Sequence, residues 1–123
     1  MPYQDKVNSL AKENDNFRKV IYTGKHAQLV LMSLKAGEDI GEETHDTIDQ
    51  FFYIVEGNGE AVQSGEAKPF EAGDVVFVDA GTLHNIKNTG SGDLKLFTLY
   101  SPPNHPDGRI NRTKEEAEAA EKE

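Results

Sequence analysis

Gly37-Glu38-Asp39-Ile40-Gly41-Glu42-Glu43-Thr44-His45-Asp46-Thr47-Ile48-Asp49-Gln50 runs straight into the apolar stretch Phe51-Phe52-Tyr53-Ile54-Val55 and stops at Glu56-Gly57. Aromatic and β-branched residues bounded by polar, glycine-bearing turns read as a strand. The polar half carries chemistry. Glu43 and His45 are two residues apart, so on extended chain their side chains leave the same face. Gln50 opens the next strand after a short polar turn, from where it can return to the same pocket. With a further ligand from elsewhere, this carboxylate, imidazole and amide suit a borderline divalent metal such as Mn, Fe, Co, Ni or Zn.

A second glycine-spaced stretch, Gly73-Asp74-Val75-Val76-Phe77-Val78-Asp79-Ala80-Gly81-Thr82-Leu83-His84-Asn85-Ile86-Lys87-Asn88, supplies that ligand. Ala80-Gly81-Thr82 reverses the chain, and His84 falls near the start of the returning strand, where a hairpin could aim it across the barrel. Strands are expected at about 51–56, 60–63, 67–70, 75–79, 83–88 and 94–100. Upstream, 17–23 and 26–35 read as a hairpin broken at Gly24-Lys25. Short strands with regular turns and no helical period between them argue for an antiparallel barrel or sandwich, not βαβ units. The chain is therefore expected to be all-β.

The ends differ in character. Val7, Leu10 and Ala11 have the i, i+3, i+4 spacing of a short amphipathic helix within residues 5–15, while 113–123 carries five glutamates against two lysines and reads as a solvated helix or tail. Between them, Ser101-Pro102-Pro103-Asn104-His105-Pro106-Asp107-Gly108 cannot continue a ladder, because proline lacks the donor. The expected organisation is a helical segment at 1–16, a single β domain at 17–100, and a Pro-rich loop with an acidic helix or tail at 101–123.

The 123 residues contain no cysteine, which removes disulfides, thiolate sites and thiol nucleophiles, so any metal is held by nitrogen and oxygen. A net charge of −9 disfavours a phosphate backbone as partner, so no nucleic acid is expected. No signal-like or membrane-spanning run is present, hence no membrane partner and a cytoplasmic location are expected.

The two quoted stretches resemble the paired motifs of the cupin superfamily, small jelly-roll barrels. Gly37, Glu43, His45, Gln50 and Gly57 take the places of its first motif, and Gly73, Asp79, Gly81, His84 and Asn88 those of its second. Glu43 stands where the family has a histidine, Gln50 where it has a glutamate, and Asp79 where it has a proline. The first two changes together keep the site's charge. The resemblance implies a cupin-like double-stranded β-helix with metal ligands Glu43, His45, Gln50 and His84, binding Zn, Mn, Fe or Ni. The ligand types are similar to those of zinc-dependent phosphomannose isomerases and of single-domain cupins that open uronate sugars.

From this follows the expected function: a metal-dependent isomerase, epimerase or ring-opening enzyme acting on a small sugar, sugar phosphate or sugar acid. The ion would polarise neighbouring oxygens and stabilise an enediolate. A metal-dependent dioxygenase and a non-catalytic sugar-binding barrel are the alternatives, since one fold hosts many chemistries. A proton shuttle is also needed, for which Tyr53, Tyr100 and His105 are candidates. Phe52 and Ile54 share strand parity with Gln50 and are expected to form the pocket wall; Phe51, Tyr53 and Val55 face the opposite way, against another layer or a partner subunit. His26 and His105 are expected at the surface. Asn88 is read as a turn stabiliser and Lys87 as outward-facing. Open sheet edges favour a homodimer.

Overall fold

Alternation of apolar and polar residues builds the barrel strand by strand. A computed structural model describes residues 2–121. The short helix α1 (Val7–Glu13) comes first, followed by β1 (Arg18–Thr23), β2 (Gln28–Leu34), β3 (Asp49–Glu56), β4 (Asn58–Gln63), β5 (Glu66–Glu71), β6 (Val75–Val78), β7 (His84–Asn88), β8 (Leu94–Ser101), the two-residue β9 (Ile110–Asn111) and α2 (Lys114–Glu121).

Two sheets face each other, one in the order β6-β3-β8-β2-β1-β9 and the other β5-β4-β7, all pairs antiparallel. The smaller sheet is extended by the irregular segment after β2: Ile40 N–H donates to Ile86 O at 3.0 Å, and Asn88 N–H to Glu38 O at 2.8 Å. Single bridges pair Asp39 with Lys87 and Glu43 with His84. The chain thus forms the mostly β barrel that its residues imply, with a short helix at each end.

The core lies between the sheets, where the inward rows meet. Val20, Val30, Thr98, Phe52 and Val76 align across five strands, and Met32, Leu96 and Ile54 form the next row. All but Thr98 are buried apolar side chains, each worth about 1.5–3 kcal/mol on burial. Asn88 ties down the β7–β8 turn: its amide donates to Leu34 O and Gly92 O, and its Oδ1 accepts from Gly90 N–H. Lys87 next to it is exposed.

Two features depart from the expected pattern. The acidic C-terminal helix is not simply solvated, since Ala117 is buried in the core cluster and Lys114 pairs with Asp39. The expectation at 122–123 lies outside the described residues. In addition, β9 forms after the Pro-rich loop and pairs with β1, Arg18 opposite Asn111 and Lys19 opposite Ile110, a strand too short to leave a sequence pattern. Among the described residues no helix is long and apolar enough to cross a membrane.

Candidate metal centre

The site is assembled from both walls of the barrel. Glu43 and His84 exchange both backbone hydrogen bonds, Glu43 N–H to His84 O and His84 N–H to Glu43 O, each 2.9 Å. Such a pair in an antiparallel ladder stands about 5.5 Å apart at Cα with both side chains on one face. His45, two residues on, returns to that face. Gly81 N–H donates to His45 O at 2.9 Å, locking the ligand segment to the turn before β7; Gly81 itself has φ +87°, which a side chain would strain. His84 is therefore a cross-strand neighbour of Glu43 rather than a ligand reaching over from the opposite wall.

One ligand atom from each of Glu43, His45 and His84 lies within 4.8 Å of the others. The imidazole rings of His45 and His84 are 5.6 Å apart, and His45 Nε2 is 3.9 Å from Glu43 Oε1. His84 is oriented for coordination by its own backbone turn. Its Nδ1 is 2.9 Å from Thr82 O, and because a carbonyl only accepts, Nδ1 carries the proton. In a neutral ring Nε2 then keeps its lone pair, and this buried atom has no hydrogen-bond partner among the described residues.

Gln50 comes from the facing sheet. Its Nε2 donates to Thr98 Oγ1 at 3.0 Å, leaving Oε1 buried and unpartnered among the described residues. Tyr100, opposite it on β8, joins the two walls: Gln50 hydrogen-bonds its hydroxyl, and its ring stands edge-on to His45 at 6.1 Å. Phe52 is fully buried with its ring 6.3 Å from that of His84, on the wall of the cluster; Ile54, one inward position further on, sits in the core opposite Leu96.

The residues fit a metal. Buried polar atoms without partners each cost roughly 1–3 kcal/mol, a cost removed when His84 Nε2 and Gln50 Oε1 meet a cation. Two imidazoles, a carboxylate and an amide oxygen form the donor set that Zn, Mn, Fe or Ni accepts.

The candidate proton carriers separate in space. Tyr53 lies on the outer face of β3, its ring stacked on Phe97 at 5.2 Å, away from the ligands; the strand's alternation, which places Gln50 and Phe52 inward, requires it. Tyr100 and His105 come together instead. His105 was expected at the surface, yet its Nε2 is 3.2 Å from Tyr100 Oη. The cause is Gln28, fully buried on β2, whose Oε1 accepts from Asn104 N–H and His105 N–H while its Nε2 donates to His105 O and Thr23 Oγ1.

Burial pushes the Tyr100 phenol up to about 12, helped by Glu43 and opposed by the charge of Arg18 and by hydrogen bonds from Gln50 and Arg18. Burial pushes His105 down to about 3, and the positive charges of Arg18 and Arg109 add to the shift. Near neutral pH the pair is thus a protonated phenol beside a neutral imidazole. Sequence reasoning missed Arg18, Thr98 and Gln28. The alternation of Arg18 with the core residue Val20 was the available signal for the first; nothing local marks the other two.

The fold is that of a small β-barrel carrying a Glu/His group that could hold a metal ion. The chain belongs to the Cupin_2 family, described as a cupin domain, which matches residues 30–100. It is similar to YrkC of Bacillus subtilis, an uncharacterized protein, at 45% identity over 127 residues that cover 98% of this chain and 68% of YrkC. It is also 37% identical over 68 residues to an oxalate-binding protein of Thermotoga maritima, covering 55% of this chain and 56% of that one. A crystal structure of a Bacillus halodurans protein superposes with a TM-score of 0.95 at 37% identity, covering 97% of this chain and 95% of the other.

Proposed function

We propose that this cupin is a divalent-metal-dependent isomerase, epimerase or ring-opening enzyme for a small sugar, sugar phosphate or sugar acid. The observation that carries the reading is the Tyr100–His105 pair beside the ligand cluster. Glu43, His45, Gln50 and His84 would hold the ion, which supplies Lewis acidity toward the oxygens of a hydroxy-carbonyl compound.

The chain's own residues provide the proton traffic. Moving a carbonyl to the neighbouring carbon requires one proton to leave carbon and one to return, and His105 Nε2 and Tyr100 Oη, 3.2 Å apart beside the ligand cluster, are the pair placed to relay it. Phe52 and the buried rows beneath it keep water from the reacting carbons. The test is incubation of metal-loaded protein with a panel of sugars, sugar phosphates and sugar acids in deuterated water. Exchange at the carbon next to the carbonyl is expected for at least one, falling about 100-fold or more in His105→Ala with metal retained. No exchange with any compound contradicts the reading.

A second reading, a binding protein without turnover, is favoured by the similarity to the Thermotoga oxalate-binding protein. It predicts that oxalate raises the melting temperature of the metal-loaded chain and is recovered unchanged. Dioxygenase chemistry requires a redox-active ion and is ruled out if the native metal is zinc.

A further inference from the structure

We propose that Gln28 is a positioning residue: its buried amide clasps the segment 102–108 that leaves β8 and thereby holds the His105 imidazole on the Tyr100 hydroxyl. The proposal rests on the proton-relay reading above and adds to it the residue that sets the relay's geometry. Gln28 opens β2 opposite Tyr100 on β8, which is in turn opposite Gln50 on β3, so the three stand in one row across the sheet. All three are buried, on the face that Val30, Thr98 and Phe52 continue two residues further along. The phenol therefore has one glutamine on each side. Gln50 lies with the ligand cluster, whereas the amide of Gln28 is given over to the loop.

A primary amide offers two N–H donors and an oxygen with two lone pairs. Gln28 uses them all: Nε2 donates to His105 O at 2.7 Å and to Thr23 Oγ1 at 3.0 Å, and Oε1 accepts from Asn104 N–H at 3.1 Å and His105 N–H at 3.0 Å. Both backbone groups of His105 thus bond to one side chain, as they would to a neighbouring strand. No ladder replaces that hold. Pro102, Pro103 and Pro106 have no N–H to give, and among the described residues the backbone of 102–108 makes no other hydrogen bond to the barrel. The chain rejoins a strand only where Val20 N–H donates to Arg109 O at 2.9 Å. At the end of these contacts His105 Nε2 lies 3.2 Å from Tyr100 Oη, its ring edge-on to the phenol at 5.0 Å. A misplacement of about 1 Å is enough to disable transfer between two such groups, so a proton carrier on a loop without strand pairing needs an anchor of this kind.

Two measurements on the zinc-loaded full chain test the assignment. In the first, NMR follows the nuclear Overhauser contact between the His105 and Tyr100 rings and the solvent exchange of the Asn104 and His105 amides. Wild type is expected to show the ring contact and slowed amides; Gln28→Met is expected to lose the contact and exchange both amides about 10-fold or more faster. In the second, deuterium exchange at carbon is measured in Gln28→Met, His105→Ala and the double variant, with the compound of the sugar panel that exchanges in wild type. Gln28→Met is expected to lower kcat about 10-fold or more, with KM within about 2-fold and metal retained. In the His105→Ala background it is expected to lower kcat no further, because a residue that acts through the imidazole has nothing to place once the ring is gone. Gln28→Glu, which keeps an acceptor oxygen for the two N–H groups, is expected to fall between and is the working variant should Gln28→Met fail to fold. A ring contact unchanged in the Gln28 variants, or an equal fall in kcat with and without His105, would overturn the proposal. If no compound of the panel exchanges deuterium, the relay reading falls and the ring contact alone decides whether Gln28 places the imidazole.

Discussion

Thr82 and His84 form the smallest unit of the site: the carbonyl of the first accepts the Nδ1 proton of the second at 2.9 Å, so the ring's other nitrogen is left without a partner among the described residues, beside Glu43 and His45. Thr98 does the same for Gln50 from the facing sheet, its hydroxyl accepting the amide N–H at 3.0 Å. His84 and Gln50 are therefore each oriented by a neighbour outside the donor set. Removal of the ligands His84→Ala or Glu43→Ala is expected to weaken metal binding beyond about 100-fold, and Thr98→Val by roughly 10-fold through the freed amide. Competition with a fluorescent chelator measures all three. Equal affinity in His84→Ala and wild type contradicts the assignment.

Lys95 ties the N-terminal segment to the barrel. Its buried ammonium donates to Asn14 O at 2.6 Å and Ser33 Oγ at 3.0 Å and reaches Asp15 at 3.1 Å. Asp15 is almost fully exposed and adds little, so the loss in Lys95→Ala comes from the carbonyl and hydroxyl left without a partner, about 2–4 kcal/mol. Urea denaturation should show this lower stability, and brief proteolysis should cut first near residues 1–16. A variant as stable as wild type would show that the segment is held by α1 packing alone.

Asp39 gives the fold an acid-sensitive contact. Burial works to raise its carboxyl, but hydrogen bonds from Lys114 and Asn85 and the charges of Lys114 and Lys87 outweigh it and hold the group below its ordinary value of 3.8. A lowered carboxylate contributes stability above pH 3.8 that disappears as pH falls through the depressed value. Both partners of the Asp39–Lys114 pair are partly exposed, so the contribution is under about 1 kcal/mol. Asp39→Asn should be slightly less stable than wild type at neutral pH, the two converging below pH 3.8; a constant difference down to acid pH would contradict this.

Val75 and Phe77 on the edge strand β6 are 54% and 53% exposed, and Phe51, Tyr53 and Phe97 adjoin them on the outer sheet face. An apolar surface of this kind on a sheet with an open edge is expected to bury itself in a homodimer. Sedimentation should show a dimer in wild type and a monomer in Phe77→Glu. A monomeric wild type would leave the surface to another partner.

Most of the barrel was legible because its strands alternate and glycine-bearing turns separate them. Glu43 and His45 were legible for the same reason, since spacing of two along extended chain fixes a face; His84 was legible from the turn at Ala80-Gly81-Thr82 and the motif around it, but its place as the ladder neighbour of Glu43 was not. What was not legible depends on contacts distant in sequence. His105 sits in a Pro-rich loop without periodicity, and only Gln28, 77 positions earlier, draws it to Tyr100. Arg18 read as one residue of a β-rich run because its burial follows from the strands that enclose it. Ala117 looked solvated among glutamates, since one small residue facing the barrel leaves almost no apolar stripe.

The central claim is that Glu43, His45, Gln50 and His84 bind a divalent ion. Elemental analysis of protein purified without added metal, joined to thermal unfolding before and after chelation, tests it most directly. Stoichiometric Zn, Mn, Fe or Ni is predicted in wild type and none in His84→Ala, with chelation lowering the melting temperature by several degrees, as loss of about 2.7 kcal/mol at an ion concentration of 100 times Kd requires. Wild-type protein that carries no metal, takes none up on titration and melts unchanged with or without it would contradict the account.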